Sequence, residues 1–358
     1  MASFIARDIA DIPDAPALWK TLVDSSPLAG LWHTWHWHKY ILAAAEPFKP
    51  EERSFFIYED EKPVGLCPLL IQRRVRGDEE WIEAAYNTGL LPWPVTNSPE
   101  AEDFAFAELE RRARTAGAAH IALQLYPETP LEDETARVER VGRVHRYIGS
   151  EGHLQVVEVV GAKGRARERF VRYDKKYAPL FEFDVLAGAT VDADTEETYF
   201  KLHVLDAGKQ TRSRESYARQ ADLARAGEAF FVRAQHKESG EVAGMLLVSL
   251  NKEAAFDNSV AIDPRFADQY VGHALRFRAL EELERLGVKR FEMPLYVWPP
   301  SIFHIPGAKE LNIAHFKEGF SRGNSRAVWR VEKFLDGECL HNYLEERERS
   351  LKEFFLLG

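Results

Sequence analysis

Two stretches of this 358-residue chain repeat one pattern, and the repeat limits the possible folds more than any other feature. "FAELERRARTAGAAHIALQL", Phe106 to Leu125, and "RALEELERLGVKRFEMPL", Arg278 to Leu295, each read as a charged amphipathic helix, a glycine stop and an apolar strand. A strand-rich meander leads into each helix. A matching order of elements on both sides predicts a duplicated α+β unit. The length agrees, since a chain of this size outgrows one hydrophobic core. The expected fold class is α+β, two tandem units, each a mixed and mostly antiparallel sheet flanked by helices. The expected domains are 1–150 and 151–358, with a basic helix near 160–180 opening the second.

Local signals fill in both units. "DAPALWKTLV" carries an Asp cap and an early proline, the start of a helix. "RSFFIYEDEKPVGLCPLLIQRRV" reads as two strands about a polar turn at Glu59 to Lys62, and "EEWIEAAYN" as a third. Ser98 and Gly117 bracket a helix, and "AAHIALQLY" is a buried-strand pattern. In the second half, "AFFVRAQHKESGEVAGMLLVSLNKEAAFDNSVAID" gives three strands joined by the turns "KESGE" and "NKE".

Charge and cysteine content exclude several classes. A net charge of −10 argues against a whole-surface nucleic-acid or anionic-membrane binder. Cys67 and Cys339 are the only cysteines, which leaves no disulfide framework and no thiolate zinc site, and fits a reducing compartment. The first 20 residues lack the apolar core of a signal peptide, and no run reaches the roughly 20 apolar residues of a membrane helix. A cytoplasmic protein without membrane insertion is expected. H-E-x-x-H, G-x-S-x-G and Walker A patterns do not occur.

The segment with most chemistry is "AAFDNSVAIDPRFADQYVGHALRFRALEELERLG". A strand ends at Asp263-Pro264, and Gln269, Tyr270, Val271, Gly272, His273 and Ala274 open a helix. Unpaired amides and the positive dipole end of such a helix favour a phosphate, and Gly272 lets the backbone approach it. The same pattern also describes a plain strand–helix joint with a packing glycine.

"FDNSVAIDPRFADQYVGHAL" resembles the central motif of the GNAT acyltransferases, Gln/Arg-x-x-Gly-x-Gly/Ala before a helix, with Gln269, Gly272 and Ala274 at the defining positions. The resemblance implies that Gln269 to Ala274 hold the pyrophosphate of an acyl-CoA. It also implies that the strand Ala255 to Ile262 splays from Phe291 to Tyr296 to admit the thioester. The duplicated layout, the basic stretch "RERFVRYDKKY" and the late "NIAHFKEGFSRGN" are similar to the FemAB-like branch, which includes aminoacyl-tRNA-dependent transferases. There, Phe316-Lys317 and Gly319-Phe320 match an element beside the donor. The long coiled-coil insertion of some tRNA-dependent members is absent, and the acidic balance offers no obvious tRNA surface.

The implied activity is transfer of an acyl group from acyl-CoA to an amine on a small acceptor: a sugar, an amino acid or an envelope precursor. No metal is required, and the oligomeric state is left open. Aminoacyl-tRNA is the alternative donor, and a non-catalytic GNAT-shaped binding protein is the alternative of another class. Catalytic candidates are Lys317, for charge on the donor carbonyl or its phosphates, and Asp257 and His273 as general bases. At the helix start the dipole would lower the His273 pKa. Glu292 and a buried Cys67 are weaker candidates. Seven basic residues between Lys163 and Lys176, Arg172 and Lys176 among them, form either a phosphate contact or a solvated face, and Arg212 in "GKQTRSRES" is a candidate neighbour.

In the first unit "YNTGLLPWPVTN" occupies the donor-loop position without the Gln-x-x-Gly pattern. That unit is expected to have lost donor binding, and Tyr86, Asn87 and Trp93 to wall an acceptor lying between the units. "LWHTWHWHKY" first suggests a metal. With Thr34 as a helix cap, however, His36 and His38 project roughly 200° apart and His33 lies outside the helix. An early aromatic helix of this kind is similar to one in FemAB-like chains. Core packing is therefore expected, with the entrance from His33 to Trp35 facing the acceptor.

Overall fold

A computed structural model describes residues 3–76, 79–86, 90–127, 133–294 and 307–356. The chain forms two compact units. Residues 3–152 and 328–356 make up the described part of the first, and 153–294 and 307–327 that of the second.

In the first unit the elements run β1 (Phe4–Asp8), α1 (Ala15–Ser25), α2 (Trp35–Ala44), β2 (Glu51–Glu52), β3 (Phe55–Glu59), β4 (Lys62–Cys67), β5 (Leu70–Arg76), β6 (Glu79–Ala84), β7 (Leu91–Pro92), β8 (Val95–Thr96), α3 (Pro99–Thr115), β9 (His120–Leu125) and α4 (Glu134–His145). One sheet has the order β1-β3-β4-β8. A second joins β2, β5, β6 and β9. The helix expected between Ser98 and Gly117 is α3: Ser98 Oγ accepts from the Ala101 amide at 3.1 Å, and Gly117 takes φ +76°. Trp19, fully buried, packs with Val23, Phe56, Leu66 and Val95 into a core beneath α1.

Strand β10 (Ile148–Glu158) leads into the second unit. There follow α5 (Ala162–Arg165), α6 (Glu168–Tyr177), β11 (Phe181–Leu186), α7 (Ala193–Ala207), α8 (Arg214–Arg225), β12 (Ala229–His236), β13 (Val242–Asn251), β14 (Ala254–Ile262), α9 (Val271–Arg285), β15 (Arg290–Met293), α10 (Ala308–Ser321) and β16 (Ser325–Phe334). The sheet order is β11-β12-β13-β14-β15-β10. The three expected strands are β12 to β14, all antiparallel, and the glycine stop is Gly287 at φ +74°. β14 and β15 run parallel, because α9 carries the chain back across the sheet.

Two boundaries differ from the sequence reading. The expected second unit ran to the end of the chain, whereas residues 328–356 cluster with the first. Trp329 to Phe334 of β16 pair with β9, and α11 (Gly337–Leu356) follows. An alternating pattern identifies a strand but not the sheet edge that receives it. The basic helix is also split. Ala166 and Arg167 take extended backbone, and the Arg167 amide donates to Gly319 O at 2.8 Å.

Candidate functional site

The second unit's site starts at an irregularity in β14. Its pairing with β13 slips between Leu247 and Val248, leaving Asn258 as the extra residue of a bulge. On its other side, β14 pairs with β15 only at Ala254, Ala255 and Phe256. From Asp257 onward the strand has no partner there among the described residues. This is the divergence expected of the splayed pair; Tyr296, its far end, lies outside the described residues. Beside the gap is a cavity of about 460 Å³, lined by Asp257, Asn258, Ser259, Val260, Tyr270, Val271, Gly272, His273, Arg276, Pro294, Phe316 and Lys317 among others.

The loop before α9 explains the cavity's floor. Tyr270 takes φ +52° and ψ +34°, a left-handed conformation unusual for a large residue, while its ring stacks on Tyr173 of α6 at 3.9 Å. No side chain caps this helix, its first turn holds no acid, and the Val271 and Gly272 amides meet no acceptor among the described residues. Such an end accepts an anion. A Cβ on Gly272 would lie 3.0 Å from Ile262 Cδ1, so this glycine also allows close strand–helix packing.

Three charges are buried together in the wall. Arg276 holds Asp257 through Nε to Oδ2 at 3.0 Å and Nη2 to Oδ1 at 3.2 Å, and its Nη1 donates to Gly272 O at 3.0 Å. Its guanidinium also lies 4.8 Å from the Phe316 ring centre. Lys317 is 6% exposed, donates to Pro294 O and stands 4.0 Å from Asp257 Oδ2. Burial pushes the Lys317 ammonium down to about 8; Asp257 opposes that shift and Arg276 adds to it. The arrangement is a tuned cation at the cavity wall, held by a carboxylate whose oxygens are engaged by Arg276.

Aromatic rings account for the rest. His273 sits edge-on to Phe170 at 4.4 Å and to Phe316 at 4.9 Å. Its pKa falls to about 4, first through burial and then through Arg276 and Arg169, so burial dominates where the sequence suggested a helix dipole. Gly319 is required sterically, because a Cβ there would come within 2.2 Å of the Phe170 ring. The "HFKEGF" pattern therefore places Phe316 and Lys317 on the cavity and packs Gly319 onto α6.

Tyr270, Val271, Gly272, His273, Phe316, Lys317 and Asp257 thus share one cavity. Gln269 is half-buried, its Oε1 meeting no donor among the described residues, and Ala274 is packed inside the helix; neither lines the cavity. Glu292 is buried and bound by Arg326 at 3.1 Å. On α6, Arg169, Arg172, Lys175 and Lys176 are exposed and meet no carboxylate among the described residues. Lys163 and Arg167, by contrast, are paired with Asp174 and Glu318. Arg212 packs over Tyr217 at 4.5 Å in the α7–α8 connection, away from α6 in the chain but next to the wall through His203, whose Nε2 lies 3.1 Å from Ser259 Oγ.

The sequence reading did not single out Arg276. Its signal was a charged Asp257 inside the apolar "AAFDNSVAI", which demands a buried cation. The partner is the arginine four residues after Gly272, on the face of α9 that packs on the sheet.

The first-unit candidates are placed differently. Trp93 is fully buried, with Nε1 donating to Glu102 at 2.7 Å, and Tyr86 is buried with its hydroxyl 3.1 Å from His38 Nδ1. Both belong to the core, not to a ligand wall, because apolar rings with one satisfied polar atom pack inward. Asn87 lies outside the described residues. The helix cap at Thr34 is present, its hydroxyl accepting from Trp37 N at 3.3 Å. His33 accepts from Gly30 N through Nδ1, so Nε2 donates to Trp93 O at 2.8 Å. Half-buried Trp35 packs edge-on against Trp19 at 5.4 Å.

The fold defined by these elements is a tandem pair of GNAT-type units. The structure of FemX superposes with a TM-score of 0.65 at 11% identity, covering 96% of this chain and 100% of FemX. L-PGS from Bacillus licheniformis gives a TM-score of 0.58 at 14% identity, covering 93% and 96% of the two chains. A tandem GNAT protein from the clavulanic acid biosynthesis pathway gives 0.51 at 14% identity, covering 93% and 98%. At these identities the likeness establishes the duplicated GNAT fold in its FemX-like form. No family model and no curated protein sequence matches the chain.

Proposed function

We propose that the second unit is an N-acyltransferase that takes its acyl group from acyl-CoA and delivers it to an amine on a small acceptor. The observation that carries this reading is the cavity where uncapped α9 amides, a diverging strand pair and buried Lys317 meet. The donor's phosphates would lie at the Val271 and Gly272 amides, within the field of the basic face of α6, and the thioester would enter the gap beside Asp257.

The acceptor nitrogen attacks the thioester carbonyl carbon. A C–N bond forms, the C–S bond breaks, and the departing thiolate takes up the proton that the nitrogen loses. The Lys317 ammonium stabilises the oxyanion of the tetrahedral intermediate. Asp257 and Arg276 are positioning residues, since both Asp257 oxygens already accept from Arg276. A pKa near 8 leaves Lys317 mostly cationic at neutral pH, so activity should fall as pH rises through about 8. Lys317→Arg, which cannot deprotonate in that range, should lose the fall; a rate that instead rises through pH 8 would make Lys317 the base.

A second reading, with aminoacyl-tRNA as donor, is favoured by one observation. The exposed cations of α6 lie beside stacked tyrosines, Tyr173 on Tyr270 with Tyr177 at 5.4 Å from Tyr270, a combination suited to single-stranded nucleic acid. Filter binding of charged tRNA across a salt series, set against calorimetry with acetyl-CoA, separates the two: acyl-CoA transfer predicts saturable acetyl-CoA binding and no salt-sensitive tRNA complex.

A further inference from the structure

A sheet face beneath a helix is ordinarily apolar. In the first unit, the strands β5, β6, β9 and β16 instead turn Arg74, Glu83, His120, Arg330 and Glu332 toward a cavity of about 600 Å³ whose opposite side is α11. The acids of this floor are matched: Glu83 with Arg74 at 2.8 Å and Glu332 with Arg330 at 2.6 Å.

Above them are donors without acceptors. Tyr343 Oη and Arg347 Nε are buried and meet no acceptor among the described residues. His120, only 9% exposed, belongs to the floor, with Nε2 3.2 Å from Glu332 and Nδ1 4.0 Å from Glu83. These groups are contiguous. His120 stacks on Phe334 at 4.6 Å, Phe334 meets Tyr343 at 4.9 Å, and the Arg347 guanidinium stands 5.1 Å from the Tyr343 ring centre. Buried donors are costly to leave unmade, and a ligand bearing an acceptor group completes them.

The cavity also has an excess of negative charge, six carboxylates against three guanidiniums, with Asp336, Glu338 and Glu346 on the α11 side. An anion alone would be repelled, and a cation alone would leave the donors unmade. Trp81, Phe334 and Tyr343 add apolar wall for an organic body. We propose that this cavity binds a small zwitterion of the α-amino-acid type, its carboxylate on Tyr343 and Arg347 and its ammonium toward the acids of α11. The site is separate from the donor cavity and does not depend on the acyltransfer reading.

Thermal shift of the full chain against each free proteinogenic amino acid at millimolar concentration tests it, followed by calorimetry on the strongest. At least one amino acid should raise the unfolding midpoint saturably. Its methyl ester, which lacks the carboxylate, and its N-acetyl form, which lacks the ammonium, should each bind about tenfold more weakly or worse, a loss of the size expected for one charge-assisted contact. Arg347→Met should weaken binding about tenfold and the near-isosteric Tyr343→Phe severalfold. Lys317→Ala should leave the affinity unchanged. The proposal is overturned if no amino acid shifts the midpoint, if binding ignores both Tyr343→Phe and Arg347→Met, or if Lys317→Ala abolishes it.

Discussion

The two units place a helix at the same point of the repeat, and the starts of those helices are opposite in character. Helix α3 begins with Pro99, which has no N–H to offer, and Ser98 caps it through the Ala101 amide. Its first turn carries Glu100 and Glu102, the latter buried and held by Arg137, Arg140 and Trp93. Helix α9 begins after left-handed Tyr270 with no acid in its first turn and, among the described residues, no side-chain cap and no acceptor for its first two amides. One helix start is closed and negative, the other open and positive. The same supersecondary element is thus closed in one unit and, in the function we propose, an anion site in the other, through a handful of residues at its first turn.

This contrast can be broken by substitution, with effects that decrease in order. Arg276→Met leaves Asp257 buried without its cation; a loss of about 3–5 kcal/mol in urea unfolding is expected, and a loss below about 1 kcal/mol would show that water or Lys317 takes over. Lys317→Ala should lower kcat by about 10²–10³-fold while changing donor affinity little, and a wild-type rate would remove it from the mechanism. Gly272→Glu gives α9 the acid that α3 carries, and should weaken CoA binding by tenfold or more in calorimetry, roughly the 1.4 kcal/mol of one misplaced charge. Gly272→Gln, equal in size and uncharged, should lose distinctly less; equal losses would mean that the Ile262 contact, not charge, sets the effect. Ser98→Ala opens α3, and should cost about 1 kcal/mol of stability without creating a second CoA site.

Much of this contrast was legible in the sequence because it is written in local residues. Ser98 and Gly117 announce α3, and the Gln-x-x-Gly-x-Ala pattern announces the start of α9. The splayed pair and the Phe316-Lys317 element followed from the family resemblance, and the fold brings them to one cavity. What could not be read depends on partners distant along the chain. Asp257 meets Arg276 across a strand–helix turn, and nothing in the sequence near Lys317 locates the Pro294 carbonyl. Trp93 and Tyr86 looked like ligand walls because an aromatic loop residue and an aromatic core residue have the same composition; only the partners Glu102 and His38 distinguish them. The return of residues 328–356 to the first unit was likewise hidden, since it depends on which sheet edge is free.

The claim that one unit binds the donor and the other does not is tested most directly by calorimetric titration of acetyl-CoA into the whole protein. The account predicts saturable binding of one acetyl-CoA per chain, lost in the Gly272→Glu protein and retained in Ser98→Ala. Two equivalent sites per chain, no saturable binding, or a single site that Gly272→Glu leaves intact would contradict it.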